Sequence, residues 1–166
     1  MKKSNYISFM GLLVAVALIL SYIESLIPFF YGIPGMKLGL PNMAIVLALY
    51  CLGKKDALLI NLIRIVLSGL LFGSLAGIIF SIAGAFISYL CMLIAMNTGK
   101  FSIKGVSIIG GVTHNVAQIL IAAFVVKTSG IVYYMPFLII AGALTGFLNG
   151  FIADAVKPFL KRLYVK

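Results

Sequence analysis

His114, Asn115 and Gln118 fall within the stretch GGVTHNVAQIL, flanked by the apolar runs VSII and ILIAAFVV. His114 is the only histidine of the chain and Gln118 the only glutamine. Spacings of three and four residues bring all three side chains near one face of a helix. An imidazole and two carboxamides each combine donors and acceptors, which suits them to orienting a polar group. Gly110 and Gly111, one turn earlier, would open space beside them, and Thr113 is expected to bond back to its own helix. Arg64 and Asn149 are the other candidates for a polar interior, with Asn61, Glu24 and Asp154 nearby in type and Asp56 at a segment boundary.

Several chemistries find no support in this set. A lone histidine without a second histidine or a carboxylate at ligand spacing is a poor metal site. No nucleophile stands with a base, and no acidic pair could hold magnesium. No enzyme activity, metal or cofactor is therefore expected. Cys51 and Cys91 sit in apolar segments without a C-x-x-C pattern or a histidine partner, and read as reduced structural thiols.

The elements that must position these residues follow from composition. Hydrophobic residues make up 63% of the chain and charged residues 10%, too few charges to keep a soluble surface wet. Mean hydropathy is +1.22, which points to an all-α integral membrane protein forming a single domain over residues 1–166. The net charge of +10 does not indicate nucleic acid, because the basic residues lie in short loops and at the ends, with no basic stripe interleaved with aromatics. The N-terminal run resembles a signal peptide but lacks a small-x-small cleavage site, so it reads as a retained first span.

A spanning helix needs about 20 mostly apolar residues. Six segments qualify, at residues 6–27, 40–53, 56–72, 75–96, 106–127 and 131–156, the second and third being short. Ten basic residues (Lys2, Lys3, Lys54, Lys55, Lys100, Lys104, Lys157, Lys161, Arg162 and Lys166) fall on one side, against Lys37 and Lys127 on the other. That bias places both termini in the cytoplasm. A charge at mid-membrane costs about 2.5–3.5 kcal/mol, so Arg64 should face the interior or water. Counting about 1.5 Å per residue puts Arg64, His114 and Asn149 roughly 10–12 Å from the inner boundary, where they would meet if their helices adjoin.

Two readings of the polar residues compete. In one, His114, Asn115 and Gln118 join helices as polar glue while Asn61 and carbonyls hold Arg64. In the other, Arg64, His114, Asn115, Gln118 and Asn149 line a solute pocket with Arg64 as its anion-binding element. Gly142, Gly146 and Gly150 form a small-residue ridge for internal packing, and Gly69, Gly73 and Gly77 bracket a tight turn. On the first span, Gly11 and Ala15, with Ala17 nearby, fit either packing or docking to a separate membrane partner. The first outer loop, PFFYGIPGMKLGLPN, mixes aromatics with glycines, as a lid does, while Phe29 to Tyr31 equally fit an interfacial belt.

The first span with Gly11, Ala15 and Ala17, then IPGMKLGLPN, NLIRIVLSGLLFG and THNVAQ, resemble the Gx transporter family. Its members are also labelled heptaprenyl diphosphate synthase component I. The resemblance covers nearly the whole chain, with KLGLPN and HNxxQ its most specific parts. That family is similar in turn to the S-components of energy-coupling factor (ECF) transporters. These are six-helix bundles with a pocket toward the outer side and a mobile first loop. They dock through small residues of the first helix onto a transmembrane coupling protein driven by two ATPases.

The resemblance implies that Gly11 and Ala15 form the docking patch, where two alanines four apart are usual. It implies that residues 29–42, with Phe29, Tyr31, Lys37 and Asn42, form the gating loop. It further implies a multi-pass protein of a bacterial cell membrane, taking up a vitamin-, flavin- or quinone-related solute. The synthase label implies the alternative of a non-transporting membrane subunit of a redox or isoprenoid/quinone synthesis complex. Prenyl diphosphate synthases use aspartate-rich motifs, and this chain has only Asp56 and Asp154, on separate segments. It also lacks a P-loop, so any ATP must be hydrolysed by a partner.

Overall fold

The computed structural model describes residues 3–26 and 39–164, and these are almost entirely helical. The helices are α1 (Lys3–Leu26), α2 (Asn42–Cys51), α3 (Lys54–Phe72), α4 (Leu75–Asn97), α5 (Ile103–Val126) and α6 (Met135–Tyr164), with a 3-10 segment at Ser129–Tyr134 before α6. Among the described residues, four segments are long and apolar enough to cross a membrane: Ser4–Leu26, Leu75–Asn97, Ile103–Val125 and Gly130–Arg162.

The second segment departs from the expected span. α2 has ten residues, about 15 Å of helix, against a hydrocarbon core of about 30 Å. Its residues Ala44 to Leu49 are all buried, so it is enclosed on every side rather than amphipathic. α3 is longer than expected because it begins at Lys54, and its nineteen residues carry Lys54, Lys55, Asp56 and Arg64. Arg64 therefore lies ten residues, about 15 Å, along its helix, deeper than the spacing alone indicated.

Helices α1, α3, α4, α5 and α6 pack in that order into a ring that closes from α6 back to α1, and α2 stands inside it against α1, α3, α5 and α6. Successive helices run antiparallel, so Lys54, Lys55, Lys100, Lys104, Lys157, Lys161 and Arg162 gather at one end, and Lys127 lies at the other. At the basic end Lys54 Nζ donates to Asn97 Oδ1 (2.8 Å), and the Tyr89 hydroxyl donates to the Lys54 carbonyl. Tyr6 donates to Asp56 Oδ1 at 2.5 Å, and Lys104 lies 3.8 Å from Asp154. Tight turns close this end through Gly53 (φ 116°) and Gly99 (φ 68°), in the left-handed region that L side chains rarely adopt. At the opposite end Ser74 caps α4 by accepting the Gly77 N–H.

The interior changes character along its axis. In the basic half, Phe9, Leu13, Ile60, Met92, Val106 and Ala153 surround α2 as one apolar core. Beyond the start of α2, the buried set includes Ser21, Glu24, Arg64, Ser68, Ser81, His114, Gln118 and Asn149. Outside, the ring is apolar: Leu75, Ile94, Phe124 and Leu144 are all largely exposed. In water such a surface would be a broad association patch, and hydrocarbon is the solvent that suits it.

α5 and α6 approach backbone to backbone. A Cβ on Gly146 would lie 2.7 Å from the Ser107 carbonyl oxygen and 2.8 Å from Ile108 Cα. One on Gly150 would lie 2.7 Å from Lys104 Cα, and one on Gly111 would strike the Gly142 carbonyl. The ridge Gly142, Gly146 and Gly150 is thus an internal seam against α5. Only residues without side chains allow this approach.

Candidate functional site

The site is built on the turn that starts α2. Gly39 adopts φ 84°, and its carbonyl accepts the Asn42 N–H at 3.0 Å. Two ring helices grip this turn. From α1 the Glu24 carboxylate accepts the N–H groups of Gly39 and, at 3.3 Å, Leu40. From α6 Asn149 Nδ2 donates to the Gly39 carbonyl at 2.9 Å. α3 grips the residue that follows: Arg64 Nη2 donates to Asn42 Oδ1 at 3.4 Å, and Arg64 Nε to Asn61 Oδ1 at 3.0 Å. Asn61 and Arg64 are one turn apart on α3, so they share a face. Arg64 is only 3% exposed, and a buried guanidinium must be paired. Glu24 supplies the opposing charge.

α4 and α5 contribute the other wall. Gly84 leaves a notch into which α5 packs: a Cβ there would lie 2.7 Å from Gln118 Cγ and 3.3 Å from His114 Cε1. Four residues on, Ser88 Oγ donates to the Gly110 carbonyl at 2.7 Å, which fixes the register of the pair. Asn115 turns the other way, donating to the Leu138 carbonyl of α6 at 2.9 Å. The one face expected for His114, Asn115 and Gln118 is therefore shared between two neighbours, α4 and α6. Thr113 donates to the Ile109 carbonyl of its own helix at 2.6 Å.

These walls stand at one level. Gly69 of α3 packs on Ile78 of α4, and Gly84 of α4 packs on His114 and Gln118 of α5. Counting along those antiparallel registers brings Arg64, Ser81 and Gln118 within about one helical turn, 5.4 Å, of each other in depth. The start of α2 joins them through the bond of Asn42 to Arg64, while the α5–α6 seam sets Asn149 near the Lys104 turn, roughly thirteen residues from Gln118 along α5. Among the buried side-chain atoms here, Asn42 Nδ2, Gln118 Nε2 and Ser81 Oγ have no hydrogen-bond partner among the described residues. Each unmet group costs about 1–3 kcal/mol, so a molecule offering oxygen acceptors would gain by meeting them.

Other candidate residues are placed elsewhere. Phe29, Tyr31 and Lys37 of the expected gating loop lie outside the described residues. Asn42, expected at that loop's end, is the buried first residue of α2. Gly11 and Ala15 are exposed on α1, and a Cβ on Gly11 would have nothing within 4 Å. Asp56 and Asp154 sit at the basic end, and no group of three or more metal-ligating side chains forms among the described residues. Sequence reasoning missed the grip of Glu24 on the turn and the part played by α4. The α4 signal was present: Ser81, Gly84, Ala85 and Ser88 recur at helical spacing as a small, partly polar stripe among bulky residues.

The family described as heptaprenyl diphosphate synthase component I matches residues 13–156, and the chain belongs to it. No curated protein and no solved structure matches the chain.

Proposed function

Starting from that membership, we propose that the chain is a membrane-embedded solute-binding subunit, similar to the S-components of ECF transporters, and not itself an enzyme. All six helices lie in the membrane, α2 as a half-span, with both termini in the cytoplasm. The gathering of basic residues at one end supports this orientation. The solute, a small organic molecule of the vitamin, flavin or quinone kind, enters from the outer side, toward which the polar half of the interior faces. The single observation that carries the reading is the burial of Arg64, Ser81 and Gln118 at similar depth, with Asn42 bonded to Arg64 and with three polar atoms of this set unmet.

Gln118 and Asn42 orient the solute by hydrogen bonds, with His114 beside Gln118. Arg64 holds the start of α2 beneath it, and Asn115 and Asn149 set α6 in place. The outer loop that precedes the turn at the start of α2, with Phe29, Tyr31 and Lys37, closes over the site. Mass spectrometry of small molecules retained by the purified protein tests this. Wild type should carry a solute that Gln118→Ala loses while still melting cooperatively as a folded protein. If both proteins carry the same molecules, or none, the reading fails.

Uptake needs an energy source, so the partner is a transmembrane coupling protein with two ATPase subunits, docking at Gly11 and Ala15. The exposure of both residues supports that role. Gly11→Leu should abolish co-purification with a co-expressed coupling complex while leaving melting and solute retention intact, because no atom lies near that Cβ. Unchanged co-purification would remove α1 from the docking surface. The family's description also fits a second reading, a non-transporting membrane subunit of an isoprenoid or quinone synthesis complex. Co-purification with a prenyl synthase in place of ATPases would favour it.

A further inference from the structure

We infer that the part of the solute held at the level of Arg64 is uncharged and offers carbonyl or hydroxyl oxygens, and that phosphate and diphosphate groups are excluded there. The inference rests on the solute-binding reading above and narrows its substrate class. Three observations carry it, and each concerns a different way of receiving an anion.

The first is charge. Among the described residues, the buried acidic and basic side chains are Glu24, Arg64 and His114, and the formal charges of Glu24 and Arg64 cancel. Glu24 and Arg64 hold the same short turn from opposite walls, one through the Gly39 and Leu40 N–H groups and the other through Asn42. A phosphate bearing one or two negative charges would find no uncancelled arginine or lysine charge among the buried described residues, and a buried charge needs one.

The second is the guanidinium itself. Arginine recognises phosphate by presenting two parallel N–H groups as a fork. Here Nε is committed to Asn61 and Nη2 to Asn42, so the Nε–Nη2 edge is taken by carboxamide oxygens and only the Nη1–Nη2 end is left.

The third is the helix start. A helix N-terminus aimed into a protein interior is a ready anion site because its first N–H groups are open. At α2 they are closed: Asn42 N bonds to the Gly39 carbonyl (3.0 Å), Met43 N to that of Leu40 (3.2 Å) and Ala44 N to that of Pro41 (3.1 Å). The buried donors left unmet at this level are neutral, the carboxamide N–H groups of Asn42 and Gln118 and the hydroxyl of Ser81. Neutral amide donors on a charge-balanced wall match a quinone or flavin-ring carbonyl, or an alcohol.

The test uses the full-length protein in detergent micelles. Small molecules retained by wild type and Gln118→Ala are identified by mass spectrometry, and melting of wild type and Glu24→Gln is followed with and without inorganic diphosphate. The solute that Gln118→Ala loses should be uncharged at neutral pH and bear carbonyl or hydroxyl oxygens. Diphosphate should leave the wild-type melting temperature unchanged; a rise confined to Glu24→Gln, where Arg64 loses an opposing charge, would support charge balance as one ground of the exclusion. A lost solute carrying phosphate or carboxylate overturns the inference and leaves the binding reading standing. So does a diphosphate response in wild type that Gln118→Ala removes. Identical molecules on wild type and Gln118→Ala would overturn the binding reading and the inference together. Should Glu24→Gln fail to fold, the identity of the retained solute alone decides.

Discussion

Replacing Arg64 by methionine is expected to destabilise the protein by about 3–5 kcal/mol, the usual cost of removing one partner of a buried charge pair. The side chain is 97% enclosed, and its loss strands three groups at once. Asn61 Oδ1 and Asn42 Oδ1 lose their donors, and the Glu24 carboxylate loses its counter-charge while still bonded to the turn. The double variant Glu24→Gln, Arg64→Met removes both charges and should recover much of the loss, because contacting residues in one network do not add. Cys51 and Cys91 are free and half-buried, so a thiol-reactive dye reports unfolding without further engineering. A single variant within about 1 kcal/mol of wild type, the worth of an exposed ion pair, would mean that Arg64 does not brace the start of α2. The same experiment separates bracing from binding. If Arg64 only braces, the double variant regains solute together with stability; if it touches solute, stability returns and retention does not.

How far the sequence spoke for itself depends on which physical signal each residue obeys. A lipid-facing helix and a helix enclosed by other helices are both apolar all round, so NMAIVLALY reads equally as a span or as a core element. Length was the only clue that α2 is a half-helix, and its neighbours decided the matter. The ridge Gly142, Gly146 and Gly150 was legible because close backbone approach admits only small residues. For His114, Asn115 and Gln118, the spacing indicated inward burial correctly, since all three are buried. It could not show that Asn115, about 100° around the helix from His114, reaches α6 while the others face α4. The grip of Glu24 on Gly39 and Leu40 was illegible for a different reason. It joins α1 to backbone N–H groups across fifteen residues, and no side-chain pattern announces a backbone donor.

The seam between α5 and α6 should be the least tolerant place in the chain. Gly146→Ala adds one methyl group, and a gain in helix propensity of up to about 1 kcal/mol would favour it in isolation. Against this, the new Cβ would meet the Ser107 carbonyl at 2.7 Å and Ile108 Cα at 2.8 Å. Those are backbone atoms, so relief requires moving a helix and not rotating a side chain. Overpacking a well-packed interior costs about 1–3 kcal/mol, and the upper end applies where nothing flexible can yield. Net destabilisation is therefore expected, and Gly146→Val should exceed it. The effect also reaches the site, because parting α6 from α5 stretches Asn115 to Leu138 and carries Asn149 away from Gly39. Solute retention should fall with stability in these variants. Gly11→Ala, whose Cβ has open space around it, is the control and should melt at or slightly above wild type. If Gly146→Ala melts like Gly11→Ala, the two helices do not meet at the distance their glycines allow, and α6 does not hold the site in the way its hydrogen bonds require.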